Sequence, residues 1–164
     1  MDPPGGQLNA QGWHQDRIYY PANRNGLNAA VCWIPCFDVQ EEMGPLSVAP
    51  SRYLAKHVEH TCMKTSSHVS RIKLSIPERI LSNYEQQEIY LQKRDVLIFS
   101  MLLFHVSGLN QSERFRFSVL GRYHNSSLDD FIPFLSLARF NRRVTMDLEE
   151  SGIDCENVLD YREA

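Results

Sequence analysis

The sequence predicts a mainly-β domain, an antiparallel sandwich or barrel of the cupin-like jelly-roll kind, with one C-terminal helix. Short segments rich in β-forming residues alternate with Gly, Pro, Asn and Asp turn signals through residues 12–123. Helical spacing of apolar residues occurs only late, at Phe131, Phe134, Leu135 and Ala138, between an acidic start and a basic end. We therefore expect one sheet-built domain with a late helix packed on its outside.

The individual strands follow from alternation, β-propensity and flanking turns. The predicted strands span residues 13–20, 27–37, 46–50, 71–76, 88–91, 96–105 and 115–123. Turns are predicted at residues 21–26, 41–45 and 93–95, and a short helix or loop at 77–84. Trp33 lies in the middle of the second of these strands, and residues 96–105 are predicted to be the most buried.

The whole chain of 164 residues fits a single domain. We assign its core to residues 12–123, a lid-like excursion to about 51–82 and a helical tail to 125–164. The polar excursion contains His57, His60 and His68, which we expect to be solvated, with contact to a substrate as the less favoured alternative.

Composition excludes several classes of protein. A net charge of −3 provides no basic surface, so nucleic acid is not an expected partner. The longest apolar run, residues 96–104, is far shorter than the roughly 20 residues of a membrane helix. The N-terminus lacks a signal-peptide pattern, and the four cysteines lack zinc-site spacing. We expect a soluble intracellular protein that acts on a small molecule, with no membrane partner.

His14 and Asp16 form the first candidate site. Residues two apart in an extended strand project to the same face, which places this imidazole beside this carboxylate. Together they make two-thirds of a two-histidine, one-carboxylate metal site, which suits non-haem iron(II). Taken alone, a histidine and an aspartate two residues apart are weak evidence, because the pattern often arises by chance.

A second candidate site lies downstream, where His105 closes an apolar strand and Ser107 shares its face. Arg116 follows eleven residues after His105, on the returning strand. A guanidinium fork and a hydroxyl near a metal-binding histidine suggest a pocket for an anion. The plainer alternatives are a satisfied core histidine for His105, a structural salt bridge for Arg116 and ordinary core packing for Trp33.

These motifs resemble the phytanoyl-CoA dioxygenase family of iron(II)- and 2-oxoglutarate-dependent oxygenases. The matching stretches are residues 13–16, 30–33, 43–46, 95–99 and 105–108, followed by Arg116. The resemblance implies a double-stranded β-helix and an iron centre that uses 2-oxoglutarate, with ascorbate as a supporting reductant. It implies hydroxylation of a small-molecule or acyl-type substrate, with release of succinate and carbon dioxide.

The resemblance also implies a role for each matching residue. The residues that match the iron ligands are His14, Asp16 and His105. Arg116 matches the residue that binds the distal carboxylate of 2-oxoglutarate, with Ser107 assisting, and Trp33 matches an aromatic residue of the co-substrate pocket.

The chain departs from the family in having only about a dozen residues before its His-x-Asp motif, where members usually have a long region. Two alternatives to the hydroxylase therefore stay open. One is a truncated, non-catalytic β-helix domain that binds metal or ligand, and the other is an interaction module that uses an open sheet edge.

Overall fold

The computed structural model describes residues 2–5, 12–19, 28–50, 56–63 and 73–128. The regular structure of these residues is almost entirely β. The strands are β1 (Ala29–Pro35), β2 (Leu46–Ala49), β3 (Thr61–Met63), β4 (Lys73–Ser75), β5 (Gln87–Ile89), β6 (Leu97–Ser100), β7 (Phe104–Ser107) and β8 (Ser118–His124). A short helix, α1, spans Glu78–Leu81, and 3-10 helices span Asp16–Tyr19 and Glu41–Met43.

The strands form two three-stranded sheets and one two-stranded ribbon. One sheet has the order β6-β1-β8, the other has the order β5-β2-β7, and β3 pairs with β4. All pairings are antiparallel. The predicted mainly-β, antiparallel class is confirmed. Neighbours in each sheet are distant in sequence, so the chain passes repeatedly from one sheet to the other.

The core lies between the two sheets, and strand alternation explains which residues enter it. Along β1 buried residues alternate with half-buried ones, as expected for a strand with one face toward a core. Val31 and Trp33 from this face pack with Leu46 and Val48 of β2 and with Phe99 of β6. The core-packing interpretation of Trp33 agrees with this position, and its role toward a co-substrate stays a prediction.

The run at residues 96–105 is two strands, so the prediction of one continuous strand was wrong. β6 and β7 belong to different sheets, and a turn separates them, closed by a bond from the Leu103 amide to the Ser100 carbonyl at 3.0 Å. The Ser100 hydroxyl accepts a second bond, from the Leu102 amide at 3.1 Å. The single polar residue of the apolar run therefore marks the point at which the chain changes sheets.

Two further strand predictions need correction. The first predicted strand ends early, because Asp16–Tyr19 forms a 3-10 helix. The last begins later than predicted, at Ser118, and pairs with β1 rather than with β7. Alternation along a strand predicts its faces but carries no information on which strand lies beside it.

Several predictions fall outside the described residues. These are the C-terminal helix at 129–143 with the rest of the tail, the turn at 21–26, His68 and much of the lid-like excursion. The division of the chain into core, lid and tail therefore stays a prediction. No helix in the described part of the chain is long and apolar enough to cross a membrane.

Gly44 provides a test of the packing between the loops that flank the β5-β2-β7 sheet. Its φ of 70° is left-handed, and a Cβ built there would lie 2.5 Å from the carbonyl oxygens of Gly108 and Leu109. Because both obstacles are backbone atoms, the clash cannot be relieved by a side-chain rotation.

We predict that Gly44→Ala lowers the free energy of unfolding by about 3 kcal/mol, from left-handed strain plus the clash. Gly5→Ala is the matched control, since Gly5 has a φ of 62° but nothing within 4 Å of its added Cβ. The control should cost only about 1 kcal/mol in urea unfolding. Equal losses in the two variants would contradict the close approach.

Candidate metal centre

The histidines predicted as ligands lie side by side because their backbones pair. His14 and His105 form an isolated antiparallel bridge and exchange two amide–carbonyl hydrogen bonds, each of 3.0 Å. Directly opposite residues in such a pair point to the same side, and the two ring centroids are 4.3 Å apart. His105 lies on β7 opposite Val48, so both imidazoles face the core between the sheets.

Asp16 completes the group from the first residue of the 3-10 helix. Its Oδ1 lies 3.7 Å from Nε2 of His14 and 3.9 Å from Nε2 of His105. One ligand atom from each of the three residues lies within 4.8 Å of the others, and all three residues are buried. The three predicted ligands are therefore brought together by the fold.

Hydrogen bonding sets which nitrogen of each imidazole faces Asp16. Nδ1 of His14 lies 2.9 Å from the Gly12 carbonyl, and Nδ1 of His105 lies 3.0 Å from the Leu103 carbonyl. A carbonyl oxygen only accepts, so each Nδ1 carries the proton and each Nε2 presents a lone pair toward Asp16. This pattern of a ring N–H given to a backbone carbonyl is typical of metal-binding histidines.

Burial keeps both histidines neutral. It lowers the pKa of His14 to about 3, with help from the nearby His105. Burial likewise lowers the pKa of His105. For Asp16 burial alone would raise the pKa, but hydrogen bonds from Arg122 and the nearby charges bring it below its usual value. Two neutral imidazoles and one carboxylate are a donor set that fits a divalent cation.

Arg122 contacts the carboxylate of this group from the opposite sheet. Its Nε donates to Oδ2 of Asp16 at 2.7 Å, and its Nη2 donates to Oδ1 at 3.0 Å. Arg122 lies on β8 opposite Val31, on the inner face of that sheet. Alternation places Arg116, Ser118 and Arg122 on one face of this segment, but it does not identify the partner of Arg122, which lies 106 positions away.

Gln15, between the two candidate ligands, points away from them and binds backbone groups on the other side. Its amide nitrogen donates to the carbonyls of Lys56 and Leu102 at 3.0 and 2.8 Å. Its amide oxygen accepts from the Val58 amide at 2.8 Å. Gln15 is 0% exposed, so these bonds replace all of its contact with water.

The prediction that His60 is solvated was wrong, since this residue is 0% exposed. Its Nε2 accepts a hydrogen bond from the backbone N–H of Gln15 at 3.1 Å, and its Nδ1 donates to the Val58 carbonyl at 2.8 Å. His57 stacks on it, with ring centroids 5.0 Å apart, and is half-buried. Polar residues of this segment therefore form a buried hydrogen-bond network. From the sequence alone, such a segment looks the same as a solvated loop.

Ser107 and Arg116, the predicted anion-binding pair, lie in different parts of the fold. Ser107 pairs with Leu46 just as His105 pairs with Val48, so the two residues of β7 lie on one face of the strand. Arg116 precedes β8, is 2% exposed and pairs through its backbone with Asp2.

The guanidinium of Arg116 already binds a carboxylate. Its Nε and Nη2 donate to Oδ2 of Asp2 at 3.2 and 2.8 Å, and its Nη1 donates to the Met43 carbonyl at 3.4 Å. The plainer alternative of a structural salt bridge describes these contacts. No local pattern pointed to Asp2, which lies 114 positions away from Arg116.

The fold and the site define a jelly-roll domain with a facial group of two histidines and one carboxylate, an arrangement typical of non-haem iron(II) oxygenases. The chain belongs to the phytanoyl-CoA dioxygenase family, whose model matches residues 1–118. No curated protein sequence matches the chain.

Solved structures confirm the cupin-like jelly roll. The chain is similar to the apo form of the non-haem monooxygenase ThoJ, with 20% identity and a TM-score of 0.55 over 75% of this chain. It is similar to EvdO2 from Micromonospora carbonacea var. aurantiaca complexed with 2-oxoglutarate, with 19% identity and a TM-score of 0.55 over 76% of the chain. It is also similar to EctD from S. alaskensis with 2-oxoglutarate and 5-hydroxyectoine, with 17% identity and a TM-score of 0.53 over 75% of the chain.

The chain spans 42%, 51% and 40% of the length of ThoJ, EvdO2 and EctD respectively, so it corresponds to about half of these proteins or less. At these identities the likeness shows the fold.

His60 provides a test of the buried network through the pH dependence of stability. Burial, aided by His57, lowers its pKa to about 3, against 6.5 for the free side chain. As pH falls below 6.5 the unfolded chain takes up a proton that the folded chain does not. The stabilising contribution is therefore complete above pH 6.5 and is lost as pH falls toward 3.

We predict that His60→Gln removes up to about 2 kcal/mol of the loss in unfolding free energy that the wild type shows between pH 6.5 and 5. The measurement is urea unfolding at both pH values. Glu85→Gln, at an exposed position, is the control and should keep the wild-type pH dependence. An unchanged pH dependence in His60→Gln would contradict a neutral, buried His60.

Proposed function

We propose that this protein is an iron(II)- and 2-oxoglutarate-dependent dioxygenase that hydroxylates a small-molecule or acyl-type substrate. The observation that carries the proposal is the convergence of His14, Asp16 and His105, with both Nδ1 protons held by backbone carbonyls. Family membership and the 2-oxoglutarate complexes among the similar structures support the same reaction class.

In the proposed enzyme, the residues of the site would bind the metal and exclude water from it. His14 and His105 would hold the iron through Nε2, and Asp16 through Oδ1. When bound, iron and 2-oxoglutarate supply the oxidative chemistry, in which one oxygen atom of O₂ enters succinate, with loss of CO₂, and the other enters the substrate hydroxyl. The chain supplies position and a dry site, since all three ligand residues are buried among core strands.

Ser107 and Trp33 are the further residues proposed to contact the co-substrate. Ser107 lies two residues from His105 on the same inward face of β7 and offers a hydroxyl donor to a carboxylate. Trp33, 5% exposed, presents its ring to the core from β1. Neither position identifies the substrate, whose chemical class rests on the family resemblance.

We predict that the purified protein releases succinate from 2-oxoglutarate with iron(II), ascorbate and oxygen, and that His105→Ala abolishes the release. Loss of one ligand should also remove the stabilisation by bound Mn(II), about 2.7 kcal/mol at a concentration 100 times the Kd. Lys93→Ala, at an exposed turn, is the control for both readouts. Metal binding without succinate would refute turnover, and no metal binding would refute the ligand assignment.

A second candidate function, a domain that binds metal without turnover, is favoured by the ion pair of Arg116 with Asp2. The two donors of the fork that would bind the distal carboxylate of 2-oxoglutarate bind Asp2 instead. A co-substrate carboxylate would have to displace this side chain, which lowers its affinity. The interaction-module alternative stays a prediction.

We predict that Asp2→Asn lowers the Kd of the Mn(II)-loaded protein for 2-oxoglutarate about tenfold, since the competing charge-assisted bonds are lost. The measurement is calorimetric titration without oxygen. Glu113→Gln removes an exposed carboxylate close in sequence and should leave the Kd unchanged. An unchanged Kd in Asp2→Asn would show that Arg116 does not bind the co-substrate, and no binding in either protein would favour the second candidate.

A further inference from the structure

Arg122 is a charged side chain that contacts the candidate metal centre directly. It binds both oxygens of Asp16 through Nε and Nη2, at 2.7 and 3.0 Å. The Asp16 side chain is 0% exposed and that of Arg122 is 13% exposed. The pair is therefore shielded from water, unlike the surface ion pairs that contribute little.

The contact joins two parts of the fold that the backbone does not join directly. Arg122 projects from β8 of the β6-β1-β8 sheet. Asp16 follows His14, whose backbone pairs with β7 of the other sheet. The orientation of the carboxylate is thus set from the sheet opposite to the one that carries the histidines.

The two carboxylate oxygens are not equivalent in this arrangement. Oδ1 lies 3.7 and 3.9 Å from the two imidazole Nε2 atoms. Oδ2 accepts the shorter bond from Nε of Arg122. A planar guanidinium that binds both oxygens fixes the plane of the carboxylate, which a lysine ammonium cannot do because it acts as a point charge.

We propose that Arg122 is a positioning residue that restricts Asp16 to one metal-ligating oxygen, Oδ1. This inference rests on the proposed function. A carboxylate that turned to bind with both oxygens would occupy a coordination position that a chelating co-substrate needs. Arg122 would hold Oδ2 and keep that position open, and it would act through Asp16.

The test uses Co(II) as a spectroscopic probe of coordination in the full chain, followed by titration with 2-oxoglutarate without oxygen. We compare the wild type with Arg122→Gln, Arg122→Lys and the control Arg114→Gln, at an exposed position. Circular dichroism checks that each protein is folded. Arg122→Lys keeps the charge beside Asp16 and therefore provides a second variant should Arg122→Gln fail to fold.

We expect both Arg122 variants to show an altered Co(II) visible spectrum and at least a tenfold weaker Kd for 2-oxoglutarate, with Arg114→Gln matching the wild type. Loss of Co(II) binding by a folded Arg122→Lys would also support positioning, because the charge alone would then not present Asp16 to the metal. A wild-type spectrum and Kd in Arg122→Lys would overturn the proposal, since charge alone would suffice. A wild type that binds no Co(II) would instead refute the metal centre itself, and the inference with it.

Discussion

The burial of the Asp16 carboxylate is the constraint on which the site depends. A carboxylate with no exposure to water persists inside a β core only where donors or a cation offset its lost hydration. Arg122 supplies two donors from one sheet, while His14 and His105 face the same carboxylate from the other. The two sheets are therefore joined at a charged group as well as by apolar packing. The carboxylate that would bind a metal is therefore also the group through which Arg122 joins the two sheets.

The ligand-bearing segment is fixed on its opposite side by Gln15. A single bridge pair would fix such a short extended stretch poorly, yet Gln15 binds the carbonyls of Lys56 and Leu102. The backbone N–H of Gln15 donates to Nε2 of His60. These polar contacts hold the backbone on the side opposite to the candidate ligand side chains.

Local patterns predicted the local features and missed those made by distant contacts. The strand predicted at 27–37 contains β1, and the plainer interpretation of Trp33 as a core residue agrees with its burial, because β-propensity depends only on local sequence. Ser100 ended a strand that its apolar neighbours appeared to continue, through a hydroxyl bond that composition does not reveal. His60 and Arg122 were missed because their partners lie 45 and 106 positions away. Spacing and residue type singled out His14, Asp16 and His105 as candidates, and the resemblance to a known family joined them into one ligand set.

The ion pair between Asp2 and Arg116 connects the metal centre to co-substrate binding under the proposed function. Asp2 occupies the Nε/Nη2 edge of Arg116, and Nη1 donates to the Met43 carbonyl, so a further carboxylate would compete for donors already in use. Asp2 has the advantage of belonging to the same chain, which gives it a high effective concentration. A 2-oxoglutarate molecule would also bind at the metal, which would give it a second point of attachment that Asp2 does not have. Under the proposed function, a metal held by His14, Asp16 and His105 would therefore favour 2-oxoglutarate over Asp2 at Arg116.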